Sequence, residues 1–182
     1  MERRSFNTCA VGTLIGSSLP LHGKQARIRI GQIGLAHPHA SGKLKAVQSL
    51  PETYEIVGVV EPDLSLRKRA QGVTFVSLDE LMDAKGLQAV VIETGVKDLV
   101  TTAIPLVEAG KHIHLDKPAG PSLRPFAKLL ESAKRQDLCV QMGYMLRYNP
   151  AFEFMFKAVR EGWFGEIMEI DAMMGKQAGE SM

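Results

Sequence analysis

Residues 28–40 read Ile28-Arg29-Ile30-Gly31-Gln32-Ile33-Gly34-Leu35-Ala36-His37-Pro38-His39-Ala40. Ile28 to Ile33 is an apolar run of strand length. Gly34 then permits a tight turn, and a stretch of helical spacing, Ser41 to Leu50, follows and ends at Pro51. Strand, glycine turn and helix in that order open a dinucleotide-binding βαβ unit. Counted from Gly34, the fingerprint G-x-G-x-x-G meets Ala36 at its second glycine and His39 at its third. Alanine still lets the backbone approach a pyrophosphate. Histidine weakens the third position, where helix and strand pack closely. The turn taken alone is a weak signal, and its strength comes from what flanks it.

Working outward, apolar runs of strand length alternate with helical patterns. Tyr54 to Val60 is nearly continuous in apolar character, as a strand covered on both faces requires. Val73 to Val76, Ala89 to Ile92, His112 to Leu115 and Leu138 to Gly143 read as further strands. Helices are expected over Leu64 to Gln71, Leu78 to Ala84 with Ser77 as N-cap, and Asp98 to Ala109 closed by Gly110. Two more are expected over Ser122 to Gln136, capped by Ser122, and Asn149 to Glu161, with Pro150 in the first turn and Gly162 at the end. This alternation implies an α/β fold, a Rossmann-type doubly wound parallel sheet with right-handed crossovers. Ile167 to Ala172 alternates and reads as the first strand of a second α+β domain.

Composition agrees. The chain has 182 residues, 45% hydrophobic and 23% charged, which suits one domain with a sizeable core. A net charge of +2 argues against a nucleic-acid binder, and 6% aromatic content argues against stacking platforms. Cys139 lies in an apolar run and is expected in the core.

The N-terminus is a separate segment. Arg3-Arg4-Ser5-Phe6 precedes a weakly apolar stretch, Cys9 to Leu21, too short and too interrupted to span a membrane. The pattern resembles a twin-arginine export signal, which implies a periplasmic protein cleaved near Ala26; a cytoplasmic protein with a plain tail is the alternative. Without residues 1–26 the chain is formally neutral, because Arg3, Arg4 and Lys24 leave with Glu2.

Three places carry candidate chemistry. Glu61 closes the second strand at the distance where a carboxylate accepts hydrogen bonds from the ribose hydroxyls of NAD and repels the 2′-phosphate of NADP. Arg67, Lys68 and Arg69 read as a solvated helix face, with a 2′-phosphate as their other use. His37 and His39 share a turn but lack a third ligand of recognisable spacing, so no metal is expected there; with Pro38 they are placed near the cofactor phosphates. His112 and His114 alternate on one strand and read as structural. Asp116-Lys117-Pro118 puts a lysine at the carboxyl end of a strand beside the nucleotide crevice. An ammonium there can polarise a substrate hydroxyl and take part in moving its proton. Asp116 is expected to hold that lysine and keep it charged.

Gly34 with its helix, Glu61-Pro62-Asp63, Glu108-Ala109-Gly110-Lys111-His112, Asp116-Lys117-Pro118 and Gly143-Tyr144-Met145-Leu146-Arg147-Tyr148-Asn149-Pro150 together resemble the Gfo/Idh/MocA oxidoreductases. The resemblance covers residues 28 to about 172. It implies an NAD(P)-binding Rossmann domain, residues 27–148, followed by an open-faced sheet domain that binds a sugar or polyol and forms homo-oligomers. Residues 149–182 would then be the linking helix and first strand of a shortened second domain. It also implies Lys117 as catalytic residue. Cofactor contacts are expected from Gly34, Ala36, His37, Pro38, His39, Glu61, Thr94, Gly95, Asp116, Lys117 and Pro118, and substrate proximity for Arg147 and Asn149. Thr94-Gly95-Val96-Lys97-Asp98-Leu99 departs from the family's Thr-Pro-Asn-x-x-His, so contacts from that loop reduce to Thr94 and Gly95. The family's acid/base histidine comes from its second domain. The alternative reading is therefore a non-catalytic nucleotide-binding or interaction module, or a gene fragment.

Overall fold

The computed structural model describes residues 26–175. The export signal expected over residues 1–26 lies outside them, apart from Ala26. Five strands, β1 (Ile28–Ile33), β2 (Tyr54–Val60), β3 (Ala89–Ile92), β4 (His112–Leu115) and β5 (Val140–Met142), form one sheet in the order β2-β1-β3-β4-β5. Every pairing is parallel. The chain turns back at β1, so the crevice between β1 and β3 is the point where strand order reverses. The doubly wound sheet expected from the alternation is what forms.

Strand periodicity sorts side chains onto the two faces. Val90, Ile92, Ile113 and Leu115 enter a core covered by α4 (Leu99–Glu108) and α5 (Leu123–Arg135), together with Leu99, Ala103, Leu106 and Leu129. The opposite face packs Leu35, Leu44, Val59 and Ala70 under α1 (Ala40–Gln48). Burying a leucine such as Leu81 or Leu106 stabilises by about 2 kcal/mol each, and both are essentially sealed from solvent.

Several expectations need correcting. Val73 to Val76 is no strand; Phe75 makes a single parallel bridge to Val59. Two short helices, α2 (Leu64–Arg67) and α3 (Leu78–Met82), stand on either side of it. Ser77 caps α3 as expected, in a reciprocal box with Glu80. Ser122 occupies the N-cap of α5, but its side chain makes no capping bond. Cys139 is exposed, because it precedes β5, the outermost strand; its N–H donates to Nδ1 of His112. Ile167 to Ala172 forms no strand: the segment is exposed and pairs with nothing among the described residues. The helix before it, α6 (Pro150–Arg160), leaves Phe154, Phe156 and the following Trp163 and Phe164 uncovered among the described residues. No described helix is long and apolar enough to cross a membrane.

Candidate dinucleotide site and the buried cluster behind it

The glycine turn is built by close approach. Gly34 has φ +89, and a Cβ there would lie 2.7 Å from the backbone nitrogen of Thr94. Only glycine satisfies both conditions without strain. Its N–H donates to Val60 C=O at 2.9 Å, while Glu93 N–H donates to Ile33 C=O at 2.8 Å. The turns after β1 and β3 are thus fixed side by side. Between them and β2 opens a cleft of about 790 Å³. Gly34, Ala36, Glu61, Thr94 and Gly95 all line it, so five expected cofactor residues meet in one place. Phe75, Val76 and Leu78 supply an apolar wall.

Glu61 is buried, and its two oxygens accept from Leu35 N–H at 2.7 Å and Asp63 N–H at 2.9 Å. Each carboxylate oxygen has a second lone pair left for a ligand. The arginines are not a solvated face. Arg69 directs its guanidinium at the C=O groups of Leu35, Ala36 and His37, at 2.6, 3.3 and 3.3 Å. Arg67 donates to Glu61 C=O at 2.8 Å, and its guanidinium lies 4.8 Å from the ring centre of Phe75. Sequence spacing cannot show this, because α2 is a single turn whose orientation depends on Asp63, the side chain capping it. Lys68 alone of the three is exposed.

Lys117 is half-buried at the carboxyl end of β4, after fully buried Asp116, and the Lys117–Pro118 bond is cis. Asp116 meets the lysine at its backbone, and among the described residues no ion pair joins it to Lys117 Nζ. Its Oδ1 accepts Lys117 N–H at 2.6 Å, and Oδ1 and Oδ2 lie 3.2 and 3.1 Å from Nδ1 of His39. Burial works against the Asp116 anion, but these bonds and both histidines favour it and hold its pKa below the usual carboxylate value. Pro38 and Pro118 are exposed and lie outside the cleft lining.

His37 and His39 do find further partners. The register Ile92↔Leu115 places the next residues, Glu93 and Asp116, beside each other. His114, two residues before Asp116, shares their face. His37, His39 and Asp116 bring potential ligand atoms within 4.8 Å of one another, and so do Glu93, His114 and Asp116. Glu93 is fully buried, and among the described residues neither of its oxygens has a hydrogen-bond partner. Desolvation first, then the adjacent Asp116 carboxylate, pushes its pKa up to about 8. Desolvation lowers that of His37 and of His114. Sequence reasoning passed over Glu93; the available signal was a carboxylate closing an apolar strand two residues after Val91, in parallel register with His114 and Asp116.

Arg147 and Asn149 stand elsewhere. Arg147 borders a groove of about 670 Å³ with Phe156 and Arg160, and Asn149 caps α6 by accepting Ala151 N–H at 3.0 Å. The substrate proximity expected of them gains no geometric support from the dinucleotide cleft.

A parallel sheet with a glycine turn and a buried carboxylate at its reversal point defines a dinucleotide-binding Rossmann domain. Residues 28–144 match the family described as oxidoreductase family, NAD-binding Rossmann fold (GFO_IDH_MocA), and the chain belongs to that family. It is 28% identical over 153 residues to the oxidoreductase ORF334 of Rhizobium meliloti, covering 80% of this chain and 45% of the relative. It is 26% identical to an inositol 2-dehydrogenase of Leifsonia xyli subsp. xyli, covering 78% and 43%. The fold is shared with scyllo-inositol dehydrogenase from Lactobacillus casei, solved with bound NAD(H) and scyllo-inositol, at TM-score 0.67 and 19% identity over 78% of this chain and 43% of that one. The chain therefore spans less than half the length of the curated relatives it matches.

Proposed function

We propose that this chain is the nicotinamide-dinucleotide half of an oxidoreductase that acts on a secondary alcohol of a sugar, polyol or related compound, with NAD as the preferred cofactor. The observation that carries the reading is the joint placement of Gly34, Glu61 and Thr94 around one cleft, with Lys117 at the same end of the parallel sheet. The residues fit a dinucleotide. The bare α-carbon of Gly34 lets the backbone come close to a pyrophosphate, and the wall at Phe75 and Leu78 suits a base. Glu61 suits ribose hydroxyls through its free lone pairs.

When bound, the nicotinamide ring supplies or accepts the hydride. The chain's own part is to orient and to manage a proton. Lys117 Nζ would polarise the carbinol oxygen and pass on the hydroxyl proton. Asp116 positions that lysine by fixing its backbone N–H. Full-length relatives named as inositol dehydrogenases support the substrate class. Their second half would supply most substrate contacts and the dimer interface. The Arg3-Arg4 segment supports export to the periplasm, and an intact mass beginning near Arg27 would test it.

Direct titration of the chain with NADH and NADPH tests the cofactor reading. Glu61→Ala should weaken NADH more than NADPH; equal losses would remove Glu61 from the ribose site. Arg67→Ala reverses the comparison, since Arg67 is the cation beside Glu61 that an NADP reading requires. The uncovered aromatic surface around α6 favours a second reading, a nucleotide-binding interaction module. A stable stoichiometric partner together with no turnover would select it.

A further inference from the structure

Of the buried polar cluster behind the glycine turn, only Asp116, through Lys117 N–H, is used by the function proposed above. Nε2 of His37 lies 3.2 Å from Lys117 C=O, which can only accept, so that nitrogen carries the proton. Nδ1 then holds a lone pair, in keeping with the His39 N–H that points at it from 3.3 Å. This lone pair faces two carboxylates, Oε2 of Glu93 at 3.4 Å and Oδ2 of Asp116 at 3.7 Å. Among the described residues, Nε2 of His114 is buried without a hydrogen-bond partner, as are both Glu93 oxygens. Two carboxylates thus lie beside His37 Nδ1, and Glu93, His114 and Asp116 bring ligand atoms within 4.8 Å of one another. Such an arrangement is costly in a dry interior, and a proton shared with Glu93 or a cation between the groups relieves it.

We infer that His37 Nδ1, Glu93, His114 Nε2 and Asp116 form a buried site for one divalent transition-metal ion of the zinc type. Bonds of about 2.0–2.2 Å around a tetrahedral centre put ligand atoms about 3.3–3.6 Å apart, close to the separations His37 shows to both carboxylates. Two imidazoles and two carboxylates are donors that zinc accepts, and the dication neutralises both anions. The outer shell is in place: His37 donates its other N–H to Lys117 C=O, and His39 approaches Asp116 with Nδ1. A groove of about 260 Å³, lined by Lys43, Val91, His114 and Gln141, offers a path inward. The ligands are sealed from substrate, so the ion would be structural. It would clamp the glycine turn to the Asp116-Lys117-Pro118 turn, the two segments that address the opposite ends of the proposed chemistry.

The test is titration of the full chain, freed of metal by a chelator, with Zn²⁺ by calorimetry. A Cys139→Ser background removes the exposed thiol beside His112 as a competing site. One Zn²⁺ per chain and a rise in thermal midpoint are expected, and Co²⁺ should give the visible absorption of a four-coordinate centre. Glu93→Gln keeps the shape and should weaken Zn²⁺ by about 100-fold or more, since loss of an outer-shell partner alone costs about 10–100-fold. His39→Ala, at the half-exposed rim, should fall within that outer-shell range and guards against a Glu93 variant that fails to fold. No stoichiometric uptake, or uptake unchanged in both variants, would overturn the inference and leave a shared proton in the cluster. NADH titration of the same samples is independent, so loss of the metal reading and loss of the cofactor reading can be told apart.

Discussion

Oδ1 of Asp116 sits where a side chain on Gly143 would have to go: a Cβ on that glycine would come within 2.8 Å of it. Gly143 N–H also donates to Leu115 C=O at 2.9 Å, so the end of β5 is pressed against the lysine turn. Gly143→Ala should therefore cost about 1–3 kcal/mol through overpacking. Chemical denaturation of the chain checks it. An unchanged midpoint would mean that Asp116 can move aside.

Gly34→Ala meets two penalties, a positive φ and a contact with backbone rather than with a flexible side chain. A non-glycine residue held in that region costs about 1–3 kcal/mol before the clash is counted. Stability and NADH affinity should both fall. Gly42, on α1 with open space around its α-carbon, is the control: Gly42→Ala should be neutral or stabilising by up to about 1 kcal/mol.

Arg69→Met removes the charge that gathers three carbonyls of the glycine turn while keeping much of the aliphatic stem. Hydrogen bonds to a charged group contribute about 1.5–3 kcal/mol, and half-exposure at Arg69 reduces that. We expect a loss of about 1 kcal/mol in folding and weaker NADH binding, read by denaturation and by titration. Lys68→Met, on the exposed neighbour, should change neither.

The capping box at Ser77 gives a pH dependence. Hydrogen bonds from Ser77 hold the Glu80 carboxyl below its ordinary pKa. A carboxyl lowered in the folded state contributes stability above its unfolded pKa and loses it as pH falls through the folded one. Wild type should thus lose stability relative to Glu80→Gln on acidification from about pH 5 downward. Ser77→Ala should cost about 1 kcal/mol at neutral pH. Thermal melts across an acid series measure both; parallel curves for wild type and Glu80→Gln would refute the linkage.

Much of this was legible in advance because the core strands are apolar runs with no competing pattern. Tyr54 to Val60, Ala89 to Ile92 and His112 to Leu115 begin and end where their composition says. The edges were not legible. Val73 to Val76 has strand composition, but it meets β2 in a single bridge, Phe75 to Val59. Cys139 reads as core and lies outside it, since apolar character does not say which strand is outermost. In the site, Gly34, Ala36 and Glu61 could be placed by spacing, because strand ends in a parallel sheet share one edge, and Thr94 and Gly95 by the family resemblance. Arg69, Glu93 and His114 could not, since their partners come from different turns and are set by register across strands.

The parallel bridge between Val59 and Phe75 has a dynamic consequence. Among the described residues, the wall of the cleft that carries Phe75 and Val76 is tied to the sheet by two peptide hydrogen bonds, Val59 N–H to Thr74 C=O and Val76 N–H to Val59 C=O. The wall at Gly34 and Thr94 is part of the continuous ladder. The cleft thus has one stiff jaw and one compliant jaw. Local opening should be cheapest at the compliant one, so the Val76 amide exchanges with solvent far sooner than that of Glu93. Occupancy of the cleft should register first as slowed exchange along residues 74–78.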